Sequence, residues 1–346
     1  MDDDHDEVLA SLKAALAAAR AAGQALRIVG ADTRRAWWNT SATRVLSLSR
    51  YSGIVDYEPS ELVVTARAGT RLRELEAVLA ARGQCLGFEP PRISDASTLG
   101  GAIASGWSGP ARPYRGSARD HVLGVRLLSA DGEVLRFGGQ VMKNVAGYDI
   151  SRLTVGAWGK LGPLLDISIR VYPLPERCCT LFWRCDELEA SRRMVALARQ
   201  FHPVTACGYA AGLLRVRLAG SAAALESAFK DLAPETHVEG EGDWNAWRDF
   251  SDAWFTPAEE IWQVIVPPAT PPLPVQGDVR WDWGGALRWY RGGAAEALAA
   301  QARAAGGFMR AWRHPDHARL PAGDIGVLSR RVIDSFAPQG CFNPEE

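Results

Sequence analysis

Neither sign of charge dominates this chain: 39 lysines and arginines stand against 40 aspartates and glutamates, a formal net charge of −1. That balance excludes a global field that would draw the protein onto nucleic acid or an anionic membrane surface. No uninterrupted apolar run approaches the roughly 20 residues a membrane-spanning helix needs. The opening Met1-Asp-Asp-Asp-His-Asp-Glu7 is acidic where a secretory signal is basic. A cytoplasmic location is expected, with any membrane contact peripheral, at the inner face of the cytoplasmic membrane and through a partner. Cysteine is scarce and wrongly spaced for metal chemistry. Cys85, Cys178, Cys179, Cys185, Cys207 and Cys341 contain no Cys-x-x-Cys pair and match neither zinc nor iron–sulfur ligand spacing. They read as reduced thiols, and no metal site is expected. Also missing are Gly-x-Gly-x-x-Gly after a strand, a Walker A loop, His-Glu-x-x-His and Gly-x-Ser-x-Gly. Any nucleotide site must use another architecture.

What is present is a β-α alternation followed by a stretch of very small residues. The chain's 346 residues are enough for two or more domains with proper cores. A helix is expected over residues 7–22, with Val8, Leu9, Leu12 and Leu16 on one face and Gly23 as its stop. Strands follow at Leu26 to Val29 and Leu62 to Ala66, the first breaking into the loop Gly30-Ala-Asp-Thr-Arg-Arg35. A second helix is expected over residues 70–82. From Ser94 to Gly109, twelve of sixteen residues are Gly, Ala, Ser or Thr. Such a segment lets backbone press against another molecule, and its glycines can turn successive amides toward one anion. The alternative is a small-residue helix packed tightly on a sheet. Asp131-Gly132 marks a hairpin between Val122 to Leu128 and Glu133 to Phe137, and Leu164 to Val171 is a further strand.

Tyr172-Pro-Leu-Pro-Glu176 punctuates the chain and suggests a domain boundary. Beyond it, helices over residues 190–200 and 222–232 and a strand from Leu213 to Leu218 suggest an α/β layer. The proline-rich stretch Pro267 to Pro274 interrupts that layer. Most of the 13 tryptophans lie after residue 180, where burial is the usual reason for them. No internal repeat is visible. Histidine is too sparse for a metal centre in this half; His314-Pro-Asp-His317 is the closest pair, and His121 reads as a structural hydrogen-bonder.

Three stretches carry a resemblance. They are Gly30 to Arg35; Ser94 to Gly109 continuing to Asp120; and Lys143-Asn-Val-Ala-Gly-Tyr-Asp149 followed by Leu153 to Gly162. In order and spacing they resemble the FAD domain of the vanillyl-alcohol oxidase/p-cresol methylhydroxylase (PCMH) superfamily. More narrowly, Lys143 to Asp149 and the Tyr57 to Pro91 region resemble the FAD-binding subunits of glycolate oxidase (glycolate dehydrogenase). The likeness runs over residues 25–176 and returns at Ser335-Phe-Ala-Pro-Gln-Gly-Cys-Phe-Asn-Pro344. It implies an α+β fold: a two-lobed PCMH-type FAD-binding domain over 1–176 (lobes about 1–91 and 92–176), a second α/β cap domain over 177–315, and a C-terminal return over 316–346.

The same resemblance implies a cofactor and its residues. Gly30, Ala31, Asp32, Thr33 and Arg34 would meet the FAD pyrophosphate. Thr98, Leu99, Gly100, Gly101, Ala104, Ser105 and Gly109 would run beside pyrophosphate, ribityl chain and flavin. Gly116, Ser117, Arg119 and Asp120 continue that segment, and Gly156, Gly159, Leu161 and Gly162 form a turn near the adenosine half. The first loop has no histidine, so non-covalent FAD is expected. No catalytic residue is assigned. The implied role is oxidation of glycolate to glyoxylate in a complex with a sister FAD subunit and an iron–sulfur subunit, toward which this chain relays electrons. Two alternatives stay open: a structural subunit that has lost flavin, and a stand-alone FAD-dependent 2-hydroxy-acid oxidoreductase.

Overall fold

The acidic run at the start of the chain is itself helical. The first helix spans Asp2–Ala21 and so begins well ahead of the expected residue 7. Gly23, at φ 62°, lies just past its end, and Val8, Leu12, Leu16 and Ala19 are buried. The computed structural model describes residues 2–38, 40–139, 148–255, 260–313 and 326–344. By internal contact the chain forms two units: residues 1–107, 117–174 and 321–346 in one, 108–116 and 175–320 in the other.

In the first unit, β1 (Leu26–Val29) and β2 (Arg44–Ser47) pair in parallel, Leu26 opposite Arg44. A five-stranded antiparallel sheet follows. It is built from β3 (Ile54–Glu58), β4 (Val63–Arg67), β6 (Val122–Leu128), β7 (Val134–Gly138) and β8 (Leu164–Arg170), in the order β3-β4-β8-β6-β7. The expected hairpin is the β6–β7 pair, with Leu128 opposite Val134 and Gly132 in its turn at φ 83°. A separate short antiparallel pair joins β5 (Gln84–Cys85) to β9 (Tyr172–Pro173). The helix Leu72–Ala80 buries Leu72, Leu75 and Leu79. A single core links the first helix, the sheet and Phe342 near the other end of the chain. Burying a side chain such as Leu72 or Leu75 contributes about 2 kcal/mol.

The second unit is one eight-stranded antiparallel sheet. Its strands are β10 (Arg177–Arg184), β11 (Val204–Ala210), β12 (Leu213–Gly220), β13 (Thr236–Glu239), β14 (Ile261–Ile265), β15 (Asp278–Asp282), β16 (Leu287–Arg291) and β17 (Phe308–Arg313). Their order, β13-β10-β12-β11-β15-β16-β14-β17, contains the same arrangement twice. In each half the fourth strand lies outermost, then the first, third and second, and the halves join where Tyr209 and Ala210 of β11 face Trp281 and Arg280 of β15. The first half carries helices Glu187–Leu197 and Ala222–Leu232 between its strands. The second keeps only Ala295–Ala304. Where its first helix would run stands the stretch Pro267 to Pro274, and proline cannot continue a helix interior. The expectation of no internal repeat is thus corrected at the level of topology: the repeat lies in the backbone order, and the loss of a helix hides it from the residue pattern.

Candidate functional site

Where β1 ends, the chain turns sharply through Gly30-Ala-Asp-Thr-Arg34. Asp32 takes a left-handed backbone at φ 55°, a conformation that short polar side chains tolerate better than most. This turn walls a cavity that encloses about 1020 Å3 of atom-free space, part of it open to solvent. The wall is drawn wholly from the first unit. Among the described residues, the amides of Gly30 to Arg34 reach no acceptor within the chain. A Cβ at Gly30 would collide with the Thr98 hydroxyl, so glycine is required for the loop to lie against the next segment.

That next segment is the small-residue stretch, and both readings of it meet here. It forms a short helix, Leu99–Ser105, packed against β4 and β8, with Gly100, Gly101 and Ala104 on the cavity wall. Its first amides are already used. Leu99 N donates to Thr70 O at 2.9 Å and Gly100 N to Ala68 O at 2.8 Å. Gly101 N donates to Thr98 Oγ1 at 3.2 Å. The helix therefore offers close approach, while the loop at Gly30 to Arg34 offers free donors.

Charge on the wall is positive. Arg27, Arg34 and Arg35 line it against one carboxylate, Asp32, which is held by Arg27 at 2.5 Å and lies 3.8 Å from Arg35. Arg34 differs from its neighbours in being 7% exposed. One of its terminal nitrogens donates to Pro91 O at 2.8 Å, and its guanidinium lies 5.3 Å from the Trp107 ring centre. Its Nε meets no acceptor among the described residues. Burial pulls its pKa down to about 10, so it stays charged at neutral pH. A buried, unmet donor costs about 1–3 kcal/mol.

Aromatic rings complete the wall. Trp38 and Trp158, both lining it, stack at 5.2 Å with planes 8° apart. Trp107 stands edge-on to Trp158 at 5.8 Å and to Trp37 at 5.3 Å. The indole N–H of Trp38 is buried without an acceptor among the described residues, and Lys160 sits 4.8 Å over its ring. Trp158 adopts φ 51° and Gly159 φ 73°, a tight turn pinned from far along the chain. Asn343 accepts from Ile28 N at 2.8 Å and donates to Trp158 O at 2.6 Å. A Cβ on Gly159 would meet the Asn343 amide at 2.8 Å.

Of the residues singled out in the sequence, Gly30, Ala31, Asp32, Thr33, Arg34, Thr98, Gly100, Gly101, Ala104, Gly159 and Gly162 line this one cavity. Leu99, Ser105 and Leu161 are buried in the structure around it, and Gly156 N is bonded to Ile103 O at 3.0 Å. Gly109 and Gly116 belong to the second unit. Ser117 and Asp120 cap the turn Ala118–His121, Asp120 accepting from Ser117 N at 2.8 Å. The Ser117 hydroxyl holds that carboxyl below its usual range, and Arg119 is exposed. His121 is buried with Nδ1 2.9 Å from Ser117 O, against Phe88 and Tyr172. Sequence reasoning missed Arg27, Trp38, Trp158 and Asn343. Lys143 to Gly147 and the His314–His317 pair lie outside the described residues. Among the described residues no group of three or more His, Cys, Asp or Glu could hold a metal ion. None of the six cysteines, all described, is in a disulfide, and no described helix is long and apolar enough to cross a membrane.

Comparison with known proteins agrees with this geometry. Residues 7–138 match the model of an FAD binding domain, the region that contains both the loop and the short helix. The chain is 36% identical to the glycolate oxidase subunit GlcE of Escherichia coli, over 92% of this chain and 91% of that protein. It is 30% identical to the glycolate oxidase subunit GlcD of Bacillus subtilis, over 48% of this chain and 36% of that one. In fold it is similar to alkyldihydroxyacetonephosphate synthase, with a TM-score of 0.71 over 99% of this chain and 75% of that chain, at 15% identity.

Proposed function

The chain belongs to the family of the glycolate oxidase subunit GlcE, and from that premise we propose that it is the FAD-binding subunit of a complex that oxidises glycolate to glyoxylate. It works beside a sister FAD subunit and relays electrons toward an iron–sulfur subunit. One observation carries the reading: in an FAD-binding domain, a cavity with a free-amide turn also holds a buried arginine with an unmet N–H. A dianionic pyrophosphate suits such a wall, since amides and a buried cation both gain from it. The backbone of Gly30 to Arg34 and the Arg34 side chain would hold the phosphates. Gly100, Gly101 and Ala104 would let the rest of the cofactor approach closely. Bound FAD supplies a two-electron acceptor that can release its electrons one at a time.

The relay role, with substrate oxidised on the sister subunit, is supported by what fills the second unit. Trp244 and Trp247 pack on Ala206 and Ala210 of β11 and bury that face of the sheet. The two described histidines of this unit, His202 and His237, are half-buried and exposed. Neither is placed as an interior base. The test is the visible spectrum of the purified chain, alone and with its partners. A yellow protein reduced by dithionite but by glycolate only in the complex meets the proposal. Reduction of the isolated chain by glycolate would move substrate oxidation onto this subunit, and a chain that stays colourless with added FAD would remove the cofactor role.

A further inference from the structure

The chain leaves the first unit just after Trp107 and rejoins it at Ser117; the strap between, residues 108–116, belongs to the second unit. Trp107 does not line the cavity but carries two residues that do: its ring bears the Arg34 guanidinium and stands edge-on to Trp158. Two positions further on, Gly109 is gripped inside the second unit. Its carbonyl accepts from Trp283 Nε1 at 2.9 Å and from Arg112 N at 3.2 Å. The Arg112 guanidinium lies 4.1 Å from the Trp283 ring centre. Trp283 itself has a left-handed backbone at φ 52°, followed by Gly284 at 63° and Gly285 at 92°. A bulky residue in that region is strained and persists only where its surroundings over-determine it. Asp282 is one hold on it, accepting from Trp283 N at 2.7 Å and from Trp247 Nε1 at 3.2 Å. The grip on the strap is the other.

We infer that Trp283 is a positioning residue for the cofactor: by holding Gly109 it sets Trp107, and through Trp107 the side of the cavity made by Arg34 and Trp158. The inference rests on the FAD reading above. A four-residue turn such as Arg112–Arg115 has no stability of its own, so the strap keeps its shape through this grip. Loosening it frees the backbone at Ser108 and lets Trp107 drift. The cost of ordering both again then falls on the binding of the guest. Such coupling is reciprocal. A guest that fixes Arg34 and Trp158 on Trp107 also firms the strap, so a cofactor held by the first unit is felt in the second.

The experiment titrates the flavin-free full chain with FAD and follows amide hydrogen exchange over residues 98–116 in the same samples. Trp283→Ala is expected to weaken FAD about fivefold or more, the low end of typical couplings between sites. Trp283→Phe keeps a ring under Arg112 and loses the N–H to Gly109, so its affinity should fall between that variant and the unaltered chain. FAD should slow exchange at the Arg112, Tyr114 and Arg115 amides of the unaltered chain and not in Trp283→Ala. Asp252→Ala is the control, since it removes the partner of Arg280 elsewhere in the second unit; its FAD affinity should stay unchanged. Unaltered FAD affinity in Trp283→Ala overturns the inference and leaves the cofactor reading standing. An equal loss in Asp252→Ala does the same, by making the effect one of general instability. Should Trp283→Ala fail to fold, unaltered affinity in Trp283→Phe overturns the inference in its place. An unaltered chain that binds no FAD overturns both.

Discussion

Both units bury an arginine against tryptophan, and they finish it differently. In the second unit Arg288 lies on Trp281 at 4.4 Å and is fully enclosed. All three of its nitrogens donate to backbone carbonyls, those of Gly285, Pro271 and Thr270. It thereby ties the proline stretch to the sheet where the missing helix would have packed. Arg280, 3.5 Å over Trp247, is ion-paired to Asp252 and donates to Trp247 O. In the first unit Arg34 has the same kind of ring contact but a single carbonyl partner, and no carboxylate within ion-pair reach among the described residues. Burial pulls both Arg34 and Arg280 down to about 10. Desolvation is alike in the two units; neutralisation is not. Both Arg34 and Arg280 keep a buried Nε without an acceptor among the described residues; what separates them is the carboxylate that Arg280 has in Asp252.

The largest expected break in this contrast comes from filling the open side. A Cβ at Gly101 would meet Arg34 at 3.2 Å and Thr98 at 3.3 Å, with the bulk of a larger side chain directed past them. Gly101→Trp should abolish FAD retention on desalting while far-ultraviolet dichroism stays unchanged; normal flavin content would show that the cavity is not the cofactor site. Asp252→Ala tests the closed side. It strands Arg280, and breaking such a buried pair costs about 3 kcal/mol. Denaturant unfolding should show that loss with FAD affinity untouched. Asn343→Ala should cost about 1–3 kcal/mol for its two lost hydrogen bonds and also weaken FAD, because the same side chain holds β1 and the Trp158 turn. Arg35→Ala should be the mildest. An exposed pair at 3.8 Å contributes well under about 1 kcal/mol, so thermal stability should hold and the salt dependence of FAD binding should flatten slightly.

Local chemistry made much of this legible from residues alone. The β6–β7 hairpin follows from Asp131-Gly132, the core strands from their β-branched residues, and the turn after β1 from a glycine that closes on Thr98. What stayed hidden depends on distant partners. Nothing near Leu99 and Gly100 says that Thr70 and Ala68 already take their amides, so the stretch looked like a set of free donors. Trp38, beside Trp37, and Trp158 stand 120 positions apart in sequence and become a surface only when stacked. Residues 108–116 read as continuous with the small-residue segment, yet they pack with the second unit, taking Gly109 and Gly116 with them. The doubled strand order is hidden for a different reason: it is a property of pairing, and the two halves share no residue pattern and differ by a helix.

The clasp made by Asn343 also sets a clock. Its bond to Ile28 spans 315 positions, and ribosomes add about 5–20 residues each second. The turn that follows β1 thus waits roughly 15–60 s for the side chain that fixes its far wall. During that interval the second unit is made in full, while the first lacks a piece of its cavity. A chain arrested before residue 343 would carry the turn after β1 without the side chain that pins it.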